Sequence, residues 1–332
     1  MKAIQTHAVG GPETLTLDEI DVPTPGKGEV LVAVKACAIN YPDTLMIRDL
    51  YQFKPERPYS PGGELSGIVE AVGEGVENFK VGDRVFGGTG NGGLREKAVV
   101  SAARLFPFPD DVPFEKAASL LMTYGTTIHG LKDRGHIKEG DTVLILGAAG
   151  GVGLSAVELA KAFGARVVAA VSSEAKGEVA RNAGADEVVI YPRDEMDEAA
   201  SKEIANAFKA ACGPEGANIV YDIVGGQYSE PALRSIAWEG RFLVVGFPAG
   251  IPKMPLNLTL LKSCDICGVF WGAFTAREPV KYREQVAELF EMMQAGKIDP
   301  LVSETFPLER AGEAIAKLEN REAVGKLVVT MD

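Results

Sequence analysis

Thr142–Leu146 is an unbroken apolar run with no polar face, the pattern of a strand buried on both sides of a parallel sheet. Gly147, Gly150, Gly151 and Gly153 follow as a tight turn. From Val152 the apolar positions take helical spacing, with Val152, Ala156, Leu159, Ala160 and Phe163 on one face. Arg166–Val171 reads as a second strand after the Gly164-Ala165 break. A helix over 174–183 ends at Gly184, and 187–191 reads as a third strand. Segments 218–222, 241–245 and 265–270 supply three more, with helical stretches between most of them. Six short strands alternating with helices predict an α/β unit built on a doubly wound parallel sheet.

The first half of the chain has a different rhythm. Residues 14–22, Glu29–Ala38, 67–72, 84–86 and 94–100 read as short strands. Glycine-rich turns separate them, at Pro25-Gly-Lys-Gly, Gly73-Glu-Gly75, Val81-Gly-Asp83 and 87–93. Closely spaced strands of this kind predict a barrel-like β domain. After Trp271 the strand–helix alternation stops, leaving helices over 280–295 and 309–318 and a final strand, Lys326–Thr330. The simplest arrangement returns that tail to the first domain. The expected division is 1–123 completed by 273–332, with 124–272 as the parallel-sheet domain.

The unit of strand, glycine turn and helix binds the pyrophosphate of a dinucleotide. Its glycines let the backbone approach the phosphates, and the helix start offers free N–H groups and a positive dipole end. The fingerprint here is Ala148-x-Gly150-x-x-Gly153, and Ala149, Gly150, Gly151 and Val152 are its expected phosphate contacts. The other reading is a similar domain that binds no nucleotide.

The end of the second strand chooses the cofactor. Enzymes of NAD place an acid there to accept from the ribose hydroxyls. This chain has Ser172 and Ser173, then Lys176, with Tyr191 and Arg193 at the end of the third strand. Two hydroxyls and a cation suit a 2′-phosphate, so the expected cofactor is NADPH. The alternative for Lys176 is a solvated helix face.

Composition removes several function classes. The chain has 332 residues, 46% hydrophobic and 24% charged, an ordinary globular make-up. Its net charge is −12 and it has no basic stripe, which argues against nucleic acid as a partner. It opens on strand-like sequence and has no apolar run long enough to span a bilayer, so no membrane partner is expected. Four cysteines are too few for a disulfide scaffold, and the chain reads as cytoplasmic. Cys264-x-x-Cys267 lies in a predicted strand, where positions three apart face opposite ways, so it reads as packing. His7, His129 and His136 make no ligand-spaced cluster and read as surface or interdomain histidines.

Pro25-Gly-Lys-Gly-Glu-Val-Leu-Val, Ala38-Ile-Asn-Tyr-Pro-Asp43, Pro61-Gly-Gly-Glu-Leu-Ser-Gly67, Val81-Gly-Asp-Arg-Val85, the glycine turn and Gly325-Lys-Leu-Val-Val complete the picture. Over essentially its whole length the chain resembles the medium-chain dehydrogenase/reductase superfamily, and most of all its zinc-independent quinone oxidoreductase (zeta-crystallin-like) branch. The resemblance implies a GroES-like β-barrel catalytic domain split around a Rossmann domain, and a homodimer formed through the last strands of the Rossmann sheet. Zinc alcohol dehydrogenases of the same superfamily carry a cysteine where Asn40 stands and a histidine where Gly63 stands. Only Glu64 remains of that set, and the lobe for a structural zinc has no cysteines, so no metal is expected.

The expected catalytic residues are Asn40, Tyr41 and Tyr51. Asn40 occupies the metal-facing place, with an amide that would donate to an acceptor carbonyl or hold the nicotinamide ribose; otherwise it is a turn residue. Tyr51 would close over the nicotinamide, or is an ordinary half-buried aromatic. The resemblance puts Thr126 near the nicotinamide and brings Lys326 to the cofactor from the returning tail. Gly246 and Phe247, with Phe270 and Trp271, follow the fifth and sixth strands, where open α/β sheets bind ligands. Phe270, Trp271 and Phe274 would form a wall for a flat acceptor, with one of them given to core packing.

The expected function is therefore hydride transfer from NADPH to a quinone or an α,β-unsaturated carbonyl, without zinc. The alternatives are an enoyl-thioester reductase, with Arg48, Lys54 and Arg57 as a basic mouth, and a non-catalytic NADPH-binding protein.

Overall fold

The computed structural model describes residues 1–331. The chain divides into two compact units, Met1–Met122 with the chain from Pro300 onward, and Thr123–Asp299. The helix Pro279–Gln294 thus belongs to the second unit, whereas the sequence pattern assigned it to the first. Its buried Gln285 bonds to Asp133 of that second unit, a preference that periodicity alone does not report.

In the first unit the strand Glu29–Ala38 is the spine. It pairs antiparallel with Glu64–Val72 along its length, with Lys97–Ser101 at one end and with Lys326–Thr330 at the other. Bulges at Leu31/Val32 and Val34/Ala36 interrupt the pairing with Glu64–Val72. Val302–Pro307, Arg84–Gly88 and Leu105–Pro107 complete the seven-stranded sheet, and Lys2–Thr6 pairs separately with Leu15–Glu19. Val30, Val32, Val34, Leu65, Val69, Val85, Leu327 and Val329 meet in its core.

The second unit holds six strands, all parallel. Across the sheet they run Glu187–Ile190, Arg166–Val171, Thr142–Leu146, Ala217–Asp222, Ile236–Val244 and Asp265–Gly268. The order reverses between Thr142–Leu146 and Ala217–Asp222, which makes that crevice the switch point where such sheets bind ligands. Leu144, Leu146, Val168 and Val220 bury one face against Phe208 and Leu233. No helix among the described residues is long and apolar enough to cross a membrane.

Candidate functional site

The second unit carries the dinucleotide cradle. Thr142–Leu146 ends at Gly147, whose positive φ of 73° turns the chain, and the helix Gly151–Ala162 begins after Gly150. A Cβ on Gly153 would stand 2.1 Å from the Gly147 carbonyl oxygen, so this glycine lets the helix close on the strand. Gly150 is different, because a Cβ there would meet nothing nearer than 3.6 Å. No side chain caps this helix start, so its first N–H groups are left for a ligand. Glycines that close the turn but leave its outer side open fit a pyrophosphate.

Beyond the second strand, Ser173 caps the helix Glu174–Asn182 by accepting the Lys176 N–H at 3.3 Å. Ser172 and the Lys176 side chain are half-buried beside it. Burial first, and then the nearby Arg193 charge, hold the Lys176 ammonium below its usual pKa. Two crowded cations favour an anion, and no carboxylate occupies the strand end. Tyr191 has turned inward, with its ring 4.6 Å from that of Tyr228.

Asp222 shapes the rim at the switch point. Its Oδ1 accepts the N–H groups of Val224 and Gly225 at 2.9 and 2.8 Å, and its Oδ2 accepts the Ser229 hydroxyl at 2.5 Å. Ala249 and Gly226 then lock the loop to its neighbour through Val224 and Gly250, and Phe247 is left 44% exposed. Phe270 is likewise half exposed, whereas Phe274 is buried. Thr126 is half-buried, and the adjacent Thr127 hydroxyl is bound inside by Ser155 and Tyr221.

The first unit holds a buried polar cluster. The Lys326 ammonium donates to Asn40 Oδ1 at 2.6 Å, to Glu64 Oε1 at 3.0 Å and to the Ile39 carbonyl at 3.2 Å. Asn40 Nδ2 donates to Glu64 Oε1 at 2.8 Å and to the Ala38 carbonyl at 3.2 Å. Glu64 Oε2 accepts the Met122 N–H. Asp43 lies beside them and accepts the N–H groups of Asn40 and Gly62 at 2.8 and 3.1 Å. Burial pushes Asp43 up to about 6, while the two N–H bonds and the Lys326 charge pull the other way.

The model of the alcohol dehydrogenase GroES-like domain matches residues 26–110, and that of the zinc-binding dehydrogenases matches 151–294. A quinone oxidoreductase-like protein 2 homolog of Nematostella vectensis is 36% identical, over 99% of this chain and 88% of its own length. Human quinone oxidoreductase is 30% identical over 100% of this chain and 98% of its own. This chain belongs to the quinone oxidoreductase-like medium-chain dehydrogenase/reductases. Two solved structures share the fold over the whole of both chains. A mycobacterial protein complexed with NADPH superposes with a TM-score of 0.91 at 34% identity, and Escherichia coli quinone oxidoreductase complexed with NADPH with 0.90 at 30%.

Within this quinone oxidoreductase-like fold, the structure changes the parts several predicted residues play. Asn40 does not offer a free donor, because both amide hydrogens are bound internally. Lys326 is 4% exposed and spends all three ammonium hydrogens on protein oxygens. Tyr41 opens the helix Tyr41–Met46, and Tyr51 lies half-buried against Phe53 at 6.1 Å between ring centres. Cys264 and Cys267 are free thiols, like the other two cysteines.

Sequence reasoning missed Asp43 and Asp222. Signals for both existed. An acid three residues after Asn40 is the spacing of a capping box, and Asp222 stands at a strand end before Gly225 and Gly226.

Proposed function

We propose that the protein is an NADPH-dependent reductase that passes hydride to a quinone or an α,β-unsaturated carbonyl, without a metal. The observation that carries this is the glycine cradle with an open outer side at Gly150, together with Lys176 and Arg193 near one another and no acid at the end of the second strand. The two relatives complexed with NADPH support the same cofactor. Gly150, Gly151 and Val152 would hold the pyrophosphate, and Ser172, Lys176 and Arg193 the 2′-phosphate. When bound, NADPH supplies the hydride. The chain's own groups bind and orient. Asn40 and Glu64 fix Lys326 in the place where zinc relatives keep their ligands, so a resident cation already neutralises Glu64 there. Phe247, Phe270 and Trp271 offer apolar surface for a flat acceptor.

An acyl-carrier substrate is less well served. Arg48 is held by Glu319 and Arg57 by Asp49, so a basic mouth is not built from them. Pairing of two copies along the Asp265–Gly268 edge belongs to this reading, as does a reducing compartment.

The test is NADPH oxidation with a benzoquinone, a small enone and an enoyl thioester, with NADH as the control and with a chelator throughout. Reduction of the quinone or enone from NADPH is expected, undiminished by chelator. Lys176→Ala should narrow the NADPH-over-NADH preference by about 1–3 kcal/mol, the worth of a hydrogen bond to a charged group. Equal affinity for the two cofactors, or one tightly held zinc per chain, would overturn the assignment.

A further inference from the structure

Three positions four residues apart, Gly125, His129 and Asp133, lie along one helical run in the second unit. The run winds wider than an α-helix at His129–Arg134, a form often found at functional sites. Each position holds a different part of the segment that carries the aromatic residues.

At Gly125 the Trp271 indole rests directly on the backbone, since a Cβ would stand 2.8 Å from Cε2, Cζ2 and Nε1. At His129 the imidazole stacks on Phe274, with ring centres 4.1 Å apart and planes 18° from parallel. At Asp133 three groups converge. Oδ2 meets His129 Nδ1 at 2.8 Å and accepts Gln285 Nε2 at 2.9 Å, and Oδ1 pairs with Lys281 Nζ at 2.6 Å. Trp271 and Phe274 lie on the helix Trp271–Arg277, and Lys281 and Gln285 on Pro279–Gln294. Tyr282 of the second helix meets the Trp271 ring edge-on at 5.8 Å.

The helix Trp271–Arg277 has only seven residues and no side-chain cap, so its own hydrogen bonds hold it weakly. Its place is set by what it packs on. His129 and Phe274 are both 8% exposed, so their stacking excludes water. Buried Trp271 Nε1 and Gln285 Oε1 have no hydrogen-bond partner, so ring packing seats the first helix, while Asp133 and a Lys132–Glu288 ion pair hold the second.

We propose that His129 and Asp133 are positioning residues for acceptor choice. They hold the helix that begins at Trp271 and thereby rank broad, flat acceptors above small ones, while touching neither cofactor nor acceptor. This rests on the reading above that Phe270 and Trp271 face the acceptor.

The chain has two tryptophans, and Trp238 is 66% exposed. In a Trp238→Phe background, Trp271 becomes the only indole and reports its seat without any substrate. The variants are His129→Ala, His129→Phe, which keeps a ring for Phe274, and Asp133→Asn. His129→Ala should raise acrylamide quenching of Trp271, and His129→Phe should restore it. With a naphthoquinone, KM should rise about three- to tenfold in His129→Ala, the range one aromatic contact is worth. KM for a small enone, kcat and NADPH affinity should hold. Asp133→Asn should move quenching and KM the same way.

Unchanged quenching in His129→Ala overturns the proposal. So does a rise in KM shared equally by both acceptors, or a loss of NADPH affinity, since either marks a merely structural role. If the unmutated protein reduces no acceptor, the functional reading fails, and acceptor choice with it. The quenching series still reports whether the seat of Trp271 depends on His129.

Discussion

Burying the Lys326 ammonium and the Glu64 carboxylate costs several kcal/mol per ion before their attraction is counted. The pair is tolerable because Asn40 gives each ion a further bond. Asn40→Ala should therefore act twice. It should lower unfolding stability by about 1–3 kcal/mol, the usual cost of leaving a buried polar group short of a partner. It should also lower turnover by about tenfold or more if the cluster's closure holds the site in shape for hydride transfer. Urea unfolding and NADPH oxidation measure the two effects, and a fully stable, fully active variant would make Asn40 an ordinary turn residue.

Asp43 adds a pH signature. Burial raises its folded pKa from the usual carboxylate range to about 6, so the folded chain holds this proton more tightly than the unfolded one. Its contribution to stability is thus greatest below the unfolded pKa and is lost as pH rises through the folded value. For a shift of that size the loss is on the order of 3 kcal/mol. Asp43→Asn should gain on the unmutated protein as pH rises from about 4 to 7, read as the difference between their melting temperatures. Parallel profiles would show that Asp43 does not titrate in this range.

At the scale of elements, the two glycines of the cradle make opposite predictions. Gly153→Ala drives a Cβ into the Gly147 carbonyl and should destabilise the fold. Gly150→Ala meets no such contact and has an ordinary φ of −79°, so the protein should fold normally. It should nevertheless bind NADPH more weakly, because the added methyl lies where phosphate would approach. Calorimetric melting and NADPH titration separate the two effects, and equal NADPH affinity in Gly150→Ala would place the phosphates elsewhere.

The cradle was legible in the chain because strand, turn and helix lie within about 20 residues and each has its own period. The strand Glu29–Ala38 was legible to the residue for the same reason. Val302–Pro307 was not, because Glu304 and three other polar or proline positions give it no apolar face. The helix Trp271–Arg277 was also missed, being too short to show a period. The cluster of Asn40, Glu64 and Lys326 draws on three strand ends far apart in sequence. Its members were legible singly, but their closure on one another was not.

The whole molecule presents an edge. Asp265–Gly268 is the last strand of the parallel sheet and has a partner on one side only within the chain. Ile266 is 37% exposed on it, and Leu256, Leu260 and Leu261 just before it are 68, 81 and 64% exposed. An apolar edge of this kind invites another strand. A two-fold dimer that continues the sheet is expected, and Ile266→Lys should shift it toward monomer. Sedimentation across a dilution series measures this, and a monomer at every concentration would contradict it.

The central claim is that hydride passes from NADPH to a quinone on this chain. It is tested most directly in a single turnover, with protein and stoichiometric NADPH mixed against excess substituted benzoquinone. Nicotinamide absorbance should fall in step with quinone loss, and more slowly when NADPH carries deuterium at the transferred position. NADPH that persists unoxidised beside the quinone would contradict this, and NADPH that persists beside a small enone as well would leave a binding protein in place of an enzyme.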